Sequence, residues 1–328
     1  VVKFLVVRFS SIGDIVLTTP IVRCLKTQVE DAVVHYLVKK QYESIIKDNP
    51  YIDKIYSLDS SFNKLVRRLK KEHYHYLIDL HKNLRTLRLK TQLRILTFTF
   101  NKLNFKKWLL VNFKINRLPD IHIVDRYFKS VEIFDVINDG KGLDYFIGEN
   151  DVIDMNKSGE GLDDGYIAFA IGSRHFTKQL PVDKIIALCN KANYPVVLLG
   201  GKEDFDNGEI IKNSTGKKVF NYCGRLSINQ SASVIKQSKL VISHDTGLMH
   251  IAAAFKKKVI SIWGNTVPEF GMYPYLPDRE SRIIEIHGLS CRPCSKLGYK
   301  ECPKKHFRCM RDINENEVAD IIISLLPD

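Results

Sequence analysis

The sequence predicts an α/β protein made of two Rossmann-like domains facing each other across a cleft. Apolar, strand-like runs alternate with helical patterns in both halves of the chain, the sign of parallel sheets covered on both faces. The alternation breaks once, at a polar stretch over residues 148–165, and then restarts. A chain of 328 residues also exceeds what one core usually organises. The expected division is 1–155 and 156–328.

In the first half KFLVVRF (3–9), VVHYLV (33–38), KIYSL (54–58) and YLIDL (76–80) read as strands, with helices between several of them. GENDVIDMNKSGEGLDDG (148–165) reads as a domain linker. After it come a strand at YIAFAIGS, a helix at VDKIIALCNKA, a strand at YPVVLLGG, a helix at INQSASVIKQS, a strand at LVISHD, a helix at TGLMHIAAAF and a strand at KVISIWG. Neither half carries G-x-G-x-x-G after its first strand, and Walker A is absent, which weighs against a nicotinamide enzyme and a P-loop NTPase.

Composition narrows the class. The chain is 45% hydrophobic and has no apolar run of about 18 residues, so no bilayer span is expected. It opens directly on a strand-like run without a secretory pattern, and a cytoplasmic protein is expected. The net charge of +13 is concentrated: between Asn63 and Arg117 fifteen Lys and Arg face only Glu72 and Asp79, and the rest of the chain balances. Such a segment expects an acidic partner, whether nucleic acid, anionic lipid or a phosphorylated glycan; the plain alternative is a solvated helix face.

Four motifs carry chemistry. In SSIGDIVLTTP (10–20), Asp14 lies where a strand hands over to a helix, so it is either a cap or a reactive carboxylate at a strand's carboxyl end. In SHDTGLMH (243–250) a strand ends in Ser243, His244 and Asp245, and Thr246 and Gly247 open an apolar helix whose free N–H groups suit a phosphate; read alone, Asp245 or Thr246 is an N-cap and His250 a partly buried helix residue. GSRHFTKQLP (172–181) offers Ser173, Thr177 and Lys178, and GGKEDFD (200–206) offers Glu203 for a ribose diol. The last three open on one edge of one sheet and describe a nucleoside-diphosphate site.

Taken in order, these motifs resemble glycosyltransferase family 9, the bacterial lipopolysaccharide heptosyltransferases of GT-B fold. The resemblance implies Asp14 as catalytic base, Lys178 with Ser173 on donor phosphate, Glu203 on the ribose, and Asp245, Thr246, Gly247, Leu248 and His250 around sugar and diphosphate. Gln179 and Leu180 depart from the family pattern, so the donor pocket differs locally. The implied reaction is inverting, cofactor-free transfer of a heptose from ADP-heptose to the lipopolysaccharide inner core, Kdo–lipid A or a heptosyl acceptor. With no D-x-D motif at these strand ends, metal independence is expected. Arg85, Arg88 and Lys90 would then hold the acceptor's phosphates, with the enzyme peripheral on the inner face of the inner membrane. A family member using another nucleotide sugar is the first alternative. A basic nucleic-acid-binding protein is the second, but it leaves the second-half motifs unexplained and lacks an RNP-like motif, so no nucleic-acid partner is expected.

Four of the seven cysteines, Cys291, Cys294, Cys302 and Cys309, fall close together with His306 between the last two. C-x2-C is half of a zinc knuckle, yet the second half does not repeat it. Structural zinc, reduced thiols and disulfides all stay open, the last disfavoured in a cytosol.

Overall fold

The computed structural model of the chain describes residues 1–59, 61–158, 161–216 and 218–326. These form two compact units, Val1–Lys102 with Ile121–Phe146, and Leu103–Asp120 with the chain from Ile147 onward.

In the first unit β1 (Val2–Val7), β2 (Ala32–Lys39), β3 (Lys54–Leu58), β4 (Tyr76–Asp79) and β5 (Leu96–Thr99) form a parallel sheet in the order β3-β2-β1-β4-β5. Phe4, Leu5, Val6 and Val7 of the central strand are all fully buried, because a parallel sheet covered on both faces has no wet side. The chain builds outward from β1 through β2 and β3, then returns to the other side of β1 for β4 and β5. Strand order therefore reverses between β1 and β4, and open α/β sheets bind ligands outside the carboxyl ends of the strands at such a point.

The second unit repeats the plan with six strands. β6 (Ile167–Ala170), β7 (Val196–Leu199), β8 (Val219–Asn221), β9 (Leu240–His244), β10 (Lys258–Trp263) and β11 (Arg282–Glu285) are parallel, in the order β11-β10-β9-β6-β7-β8. Here the reversal falls between β6 and β9, which run in register to Ala170 opposite Ser243. The strands unread in the sequence are β5, β8 and β11, all short and all at sheet edges. An edge strand is covered less fully, so it carries a weaker apolar signal.

The stretch 148–165 is not a free linker. Met155 and Leu162 are buried in the second unit's core, the Ile153 N–H donates to Ser233 Oγ (3.0 Å), and the Met155 N–H to Gln237 Oε1 (3.1 Å), both on the helix Ile228–Gln237. Gly159 and Glu160 lie outside the described residues. The units consequently divide at 146/147, not at the expected 155/156. The helix Asn104–Phe113 also joins the second unit, with Leu110 buried against Val267 and Phe270.

One buried cation closes the first unit. Arg23, on the helix Thr19–Gln28, donates Nε and Nη2 to Asp139 (2.9 and 2.8 Å), Nη2 to the Gly142 carbonyl (2.9 Å) and Nη1 to Asp144. The hydrogen bonds from Arg23 hold the Asp139 carboxyl at a pKa of about 2. Arg23→Met strands two carboxylates and should cost about 3–5 kcal/mol in urea unfolding at neutral pH. A depressed carboxyl contributes stability above its unfolded pKa of about 3.9 and loses it as pH falls through its folded value. The gap between wild type and variant should therefore narrow from about pH 4 down to about pH 2; a constant gap would assign the loss to packing alone.

Candidate active site

β1 runs through Arg8 and Phe9 to Ser11, the N-cap of the short helix Ile12–Val16, and Asp14 is the third residue of that helix. Its Oδ2 accepts the Ser11 N–H (3.1 Å) and hydroxyl (2.7 Å), and its Oδ1 pairs with the Arg8 guanidinium. Arg8 is itself buried and pinned, with Nε on the Ser10 carbonyl (2.8 Å) and Nη1 on the Leu80 carbonyl and the Tyr127 hydroxyl (3.2 Å). Burial pushes the Asp14 carboxyl up, but Arg8 and then the Ser11 hydrogen bonds outweigh it and hold the pKa at about 2. Capping and reactivity do not compete here. A carboxylate has about four lone-pair sites; the cap and Arg8 leave an acceptor direction on Oδ1, and the side chain is 19% exposed.

β4 ends beside this turn, at Asp79 and His81. Asp79 is fully buried; Oδ1 accepts the N–H groups of His81 (3.0 Å) and Lys82 (2.7 Å), and Oδ2 pairs with Lys90 at 2.8 Å. The cation expected of Lys90 at an acceptor is thus committed to a buried carboxylate. Arg85 and Arg88 are exposed, stacked over Phe9 (5.7 Å) and Phe62 (4.8 Å), and line a concavity of about 440 Å³ with Leu58, Asp59, Phe62 and Leu84. A larger concavity, about 760 Å³, lies by Tyr74 and Ile95 at the amino ends of β4 and β5, away from this chemistry. His81 packs edge-on against Phe9, and burial, then Arg8, push its pKa down to about 4. It is neutral at pH 7.

In the second unit the reversal between β6 and β9 brings two motifs together. Lys178 Nζ lies 2.5 Å from Asp245 Oδ2 and 3.3 Å from the Asp245 carbonyl, and Thr266 Oγ1 donates to the same Oδ2 (2.9 Å). An ammonium has three donors; Asp245 aims Lys178 and leaves one N–H unassigned. Thr246 stands at the N-cap of the helix Gly247–Ala254, but its hydroxyl meets Ser243 Oγ (3.2 Å) and makes no side-chain cap. Gly247 and Leu248 are half-buried in the first turn, and His250 is buried behind them.

The two departures from the family pattern act on backbone. Gln179 Nε2 donates to the Ser173 carbonyl (2.8 Å), setting the loop on which Ser173 sits, and Leu180 is buried in the core while its N–H donates to His244 Nε2 (3.0 Å). At the end of β7, Glu203 is exposed and folded back over Gly201, where a Cβ would lie 2.5 Å from its carboxylate. Beneath it the buried Asp204 accepts the Gly201 N–H (2.8 Å) and packs so closely on Gly172 that a Cβ there would collide. Sequence reasoning left Arg8, Asp204 and Thr266 without roles. Arg8, a lone cation closing an apolar strand, was the one visible signal.

A family model for glycosyltransferase family 9 (heptosyltransferase) matches residues 62–305. The chain belongs to this family. It is 22% identical to the lipopolysaccharide heptosyltransferase 1 of Campylobacter coli, over 99% of each chain. Among solved structures, a family 9 glycosyl transferase from Veillonella parvula superposes with a TM-score of 0.80 at 21% identity, covering 98% of this chain and 96% of that one. The ADP-heptose lipopolysaccharide heptosyltransferase II of E. coli gives 0.73 at 19% identity, over 98% of both. The two parallel α/β units are those of the GT-B fold.

Within this family 9 chain, the electrostatics of Asp14 are directly measurable. Arg8→Gln leaves the burial of Asp14 opposed only by Ser11, so its carboxyl pKa should climb from about 2 to the ordinary value of about 3.9 or above. Carbon-13 carboxyl NMR reads this, and a variant still titrating near 2 would assign the shift to Ser11 alone.

Proposed function

We propose that the chain is an inverting glycosyltransferase that moves a heptose from ADP-heptose to a lipopolysaccharide inner-core acceptor, without metal in the reaction. The observation that carries this is the Lys178–Asp245 pair beside the uncapped N-terminus at Gly247, at the point where the second sheet reverses. It is supported by the names of the full-length relatives, a lipopolysaccharide heptosyltransferase 1 and an ADP-heptose heptosyltransferase II.

The chemistry divides between the units. Glu203 takes the ribose diol, while the third N–H of Lys178, the first N–H groups of the helix Gly247–Ala254 and the Ser173 hydroxyl receive the diphosphate. Asp245, with Thr266, aims the lysine, and Leu248 and His250 shape the floor for the sugar. The acceptor oxygen attacks the anomeric carbon opposite the leaving ADP; that bond breaks as the new one forms, and the acceptor proton passes to Asp14. A carboxylate held near 2 is a feeble base toward a free alcohol. A hydroxyl bonding to an oxocarbenium-like carbon is a far stronger acid, so a late transfer to an always-ionised Asp14 suffices. Charge growing on the diphosphate is met by groups already in place.

Asp14→Asn should lose about 10²–10⁴-fold in turnover with ADP affinity unchanged. Lys178→Ala should weaken ADP about 10–100-fold, the range for a hydrogen bond to a charged group. Turnover assays and calorimetry on both variants test the assignment, and the reverse pattern, or none, overturns it. Thermal protection by ADP-, GDP- and UDP-sugars in parallel decides between ADP-heptose and another donor.

The acceptor is read as anionic and membrane-borne, with Arg85 and Arg88 on its phosphates. The helix Asn104–Phe113 supports a peripheral contact with the inner face of the membrane. It exposes Phe105, Trp108 and Phe113, the first two stacked at 6.0 Å, beside Lys106 and Lys107. Aromatic side chains amid cations suit an anionic lipid interface. Among the described residues no helix is long and apolar enough to cross a membrane. Vesicles containing phosphatidylglycerol should blue-shift Trp108 fluorescence and bind the protein in flotation, with phosphatidylcholine far weaker. Lys106→Gln with Lys107→Gln, or high salt, should abolish the difference; equal binding to both lipids would remove the electrostatic contact.

A further inference from the structure

The cysteine cluster is not absorbed by this chemistry. Residues 286–307, between β11 and the helical turn Arg308–Arg311, contain no helix or strand. A loop of that length inside a compact unit usually needs something to order it. Cys291, Cys294, Cys302 and Cys309 all line one small cavity of about 20 Å³, together with His306. That volume admits a single atom-sized guest. None of the four is in a disulfide.

We propose that these four cysteines form a tetrathiolate site for one divalent transition-metal ion, zinc by the chemistry of the donor set, that orders the loop. The set is closed and all sulfur, which suits a structural tetrahedral ion. His306 is not the fourth ligand. Its Nδ1 accepts the Arg308 N–H (3.0 Å), which leaves the proton on Nε2, and that nitrogen faces Cys291 Sγ at 3.8 Å. It therefore donates to a ligand sulfur, as a supporting partner of a metal site does. Lys114 stands over the cluster, with Nζ on the Pro293 carbonyl (2.7 Å) and 3.4 Å from the Cys291 carbonyl, and Arg292 lines the cavity. Lys114 offsets part of the net negative charge of a bound tetrathiolate, whereas the charge of Arg292 is met by Glu285.

Among the described residues no three His, Cys, Asp or Glu side chains already close on a common point. Side-chain rotation into the shared cavity must complete the set. A free thiol carries its proton at neutral pH. Binding then releases four thiol protons to solvent and transfers no electron. The loop in turn braces the donor side: Arg292 donates to the carbonyls of Gly264 (2.6 Å) and Thr266 (2.9 Å), and Thr266 holds Asp245. Tyr299 exchanges hydrogen bonds with Thr177, the neighbour of Lys178.

The test is metal content of the full chain purified without chelator. Elemental analysis should find about one zinc per chain. The four cluster thiols should resist a thiol reagent until a chelator strips the metal, and Cys294→Ser and Cys302→Ser should each reduce the metal content at least tenfold. Should those variants not fold, cobalt added to stripped wild-type protein should give the intense thiolate and visible bands of a tetrahedral sulfur site. Stripping should also weaken ADP binding at least threefold, with recovery on zinc addition. Metal well below stoichiometry with the cluster thiols freely reactive, disulfides by mass, or a cobalt spectrum without thiolate bands overturns the site. A holoprotein with full metal that binds no ADP would overturn the donor reading and leave the metal site standing.

Discussion

The position of the chemistry depends on where each parallel sheet reverses its strand order. In both units the first strand is central, neighbours are added on one side, and the chain then returns to the other. Two connections must part at that point, and the backbone between them opens at the carboxyl ends of the strands. Asp14 and His81 come to one reversal, Lys178 and Asp245 to the other. Residues far apart in sequence, such as 14 and 81 or 178 and 245, meet for this topological reason.

At each reversal a motif residue is ion-paired, Asp14 with Arg8 and Lys178 with Asp245, and these two pairs are built for different ends. Arg8 is fixed by carbonyls and a tyrosine hydroxyl, so its charge is a permanent field that keeps Asp14 ionised and oriented. Lys178 is aimed by Asp245 yet retains donor capacity, as suits a group that shares itself with an arriving anion. Removing one partner of either pair leaves a poorly solvated charge behind. Arg23 with Asp139 and Asp144 is the same physics used purely for closure.

Charge that looks uniform in the sequence is sorted by burial. Within the basic segment Lys90 answers the buried Asp79, Lys114 braces the cysteine loop, and Arg85 and Arg88 face solvent over aromatic rings. Composition reports the total and its location along the chain. Which cations are free to meet a partner is decided by whether a carboxylate or carbonyl is buried within reach.

The sequence by itself determined the α/β class, the inner strands and the four motifs, because a strand buried on both faces is a continuous apolar run and a phosphate turn needs particular small and polar residues in order. It did not determine the edge strands β5, β8 and β11, whose half-covered faces weaken the pattern, nor the fate of 148–165, where Met155 and Leu162 find a core that no local signal announces. It also left open whether Asp14 caps or reacts. That it caps with one oxygen while Arg8 holds the other required a residue six positions earlier to be buried against the end of β4 and Tyr127. Side-chain roles set by long-range partners are decided only by tertiary structure, since the burial and the neighbours that fix a group's charge and direction are assembled from segments distant in the chain.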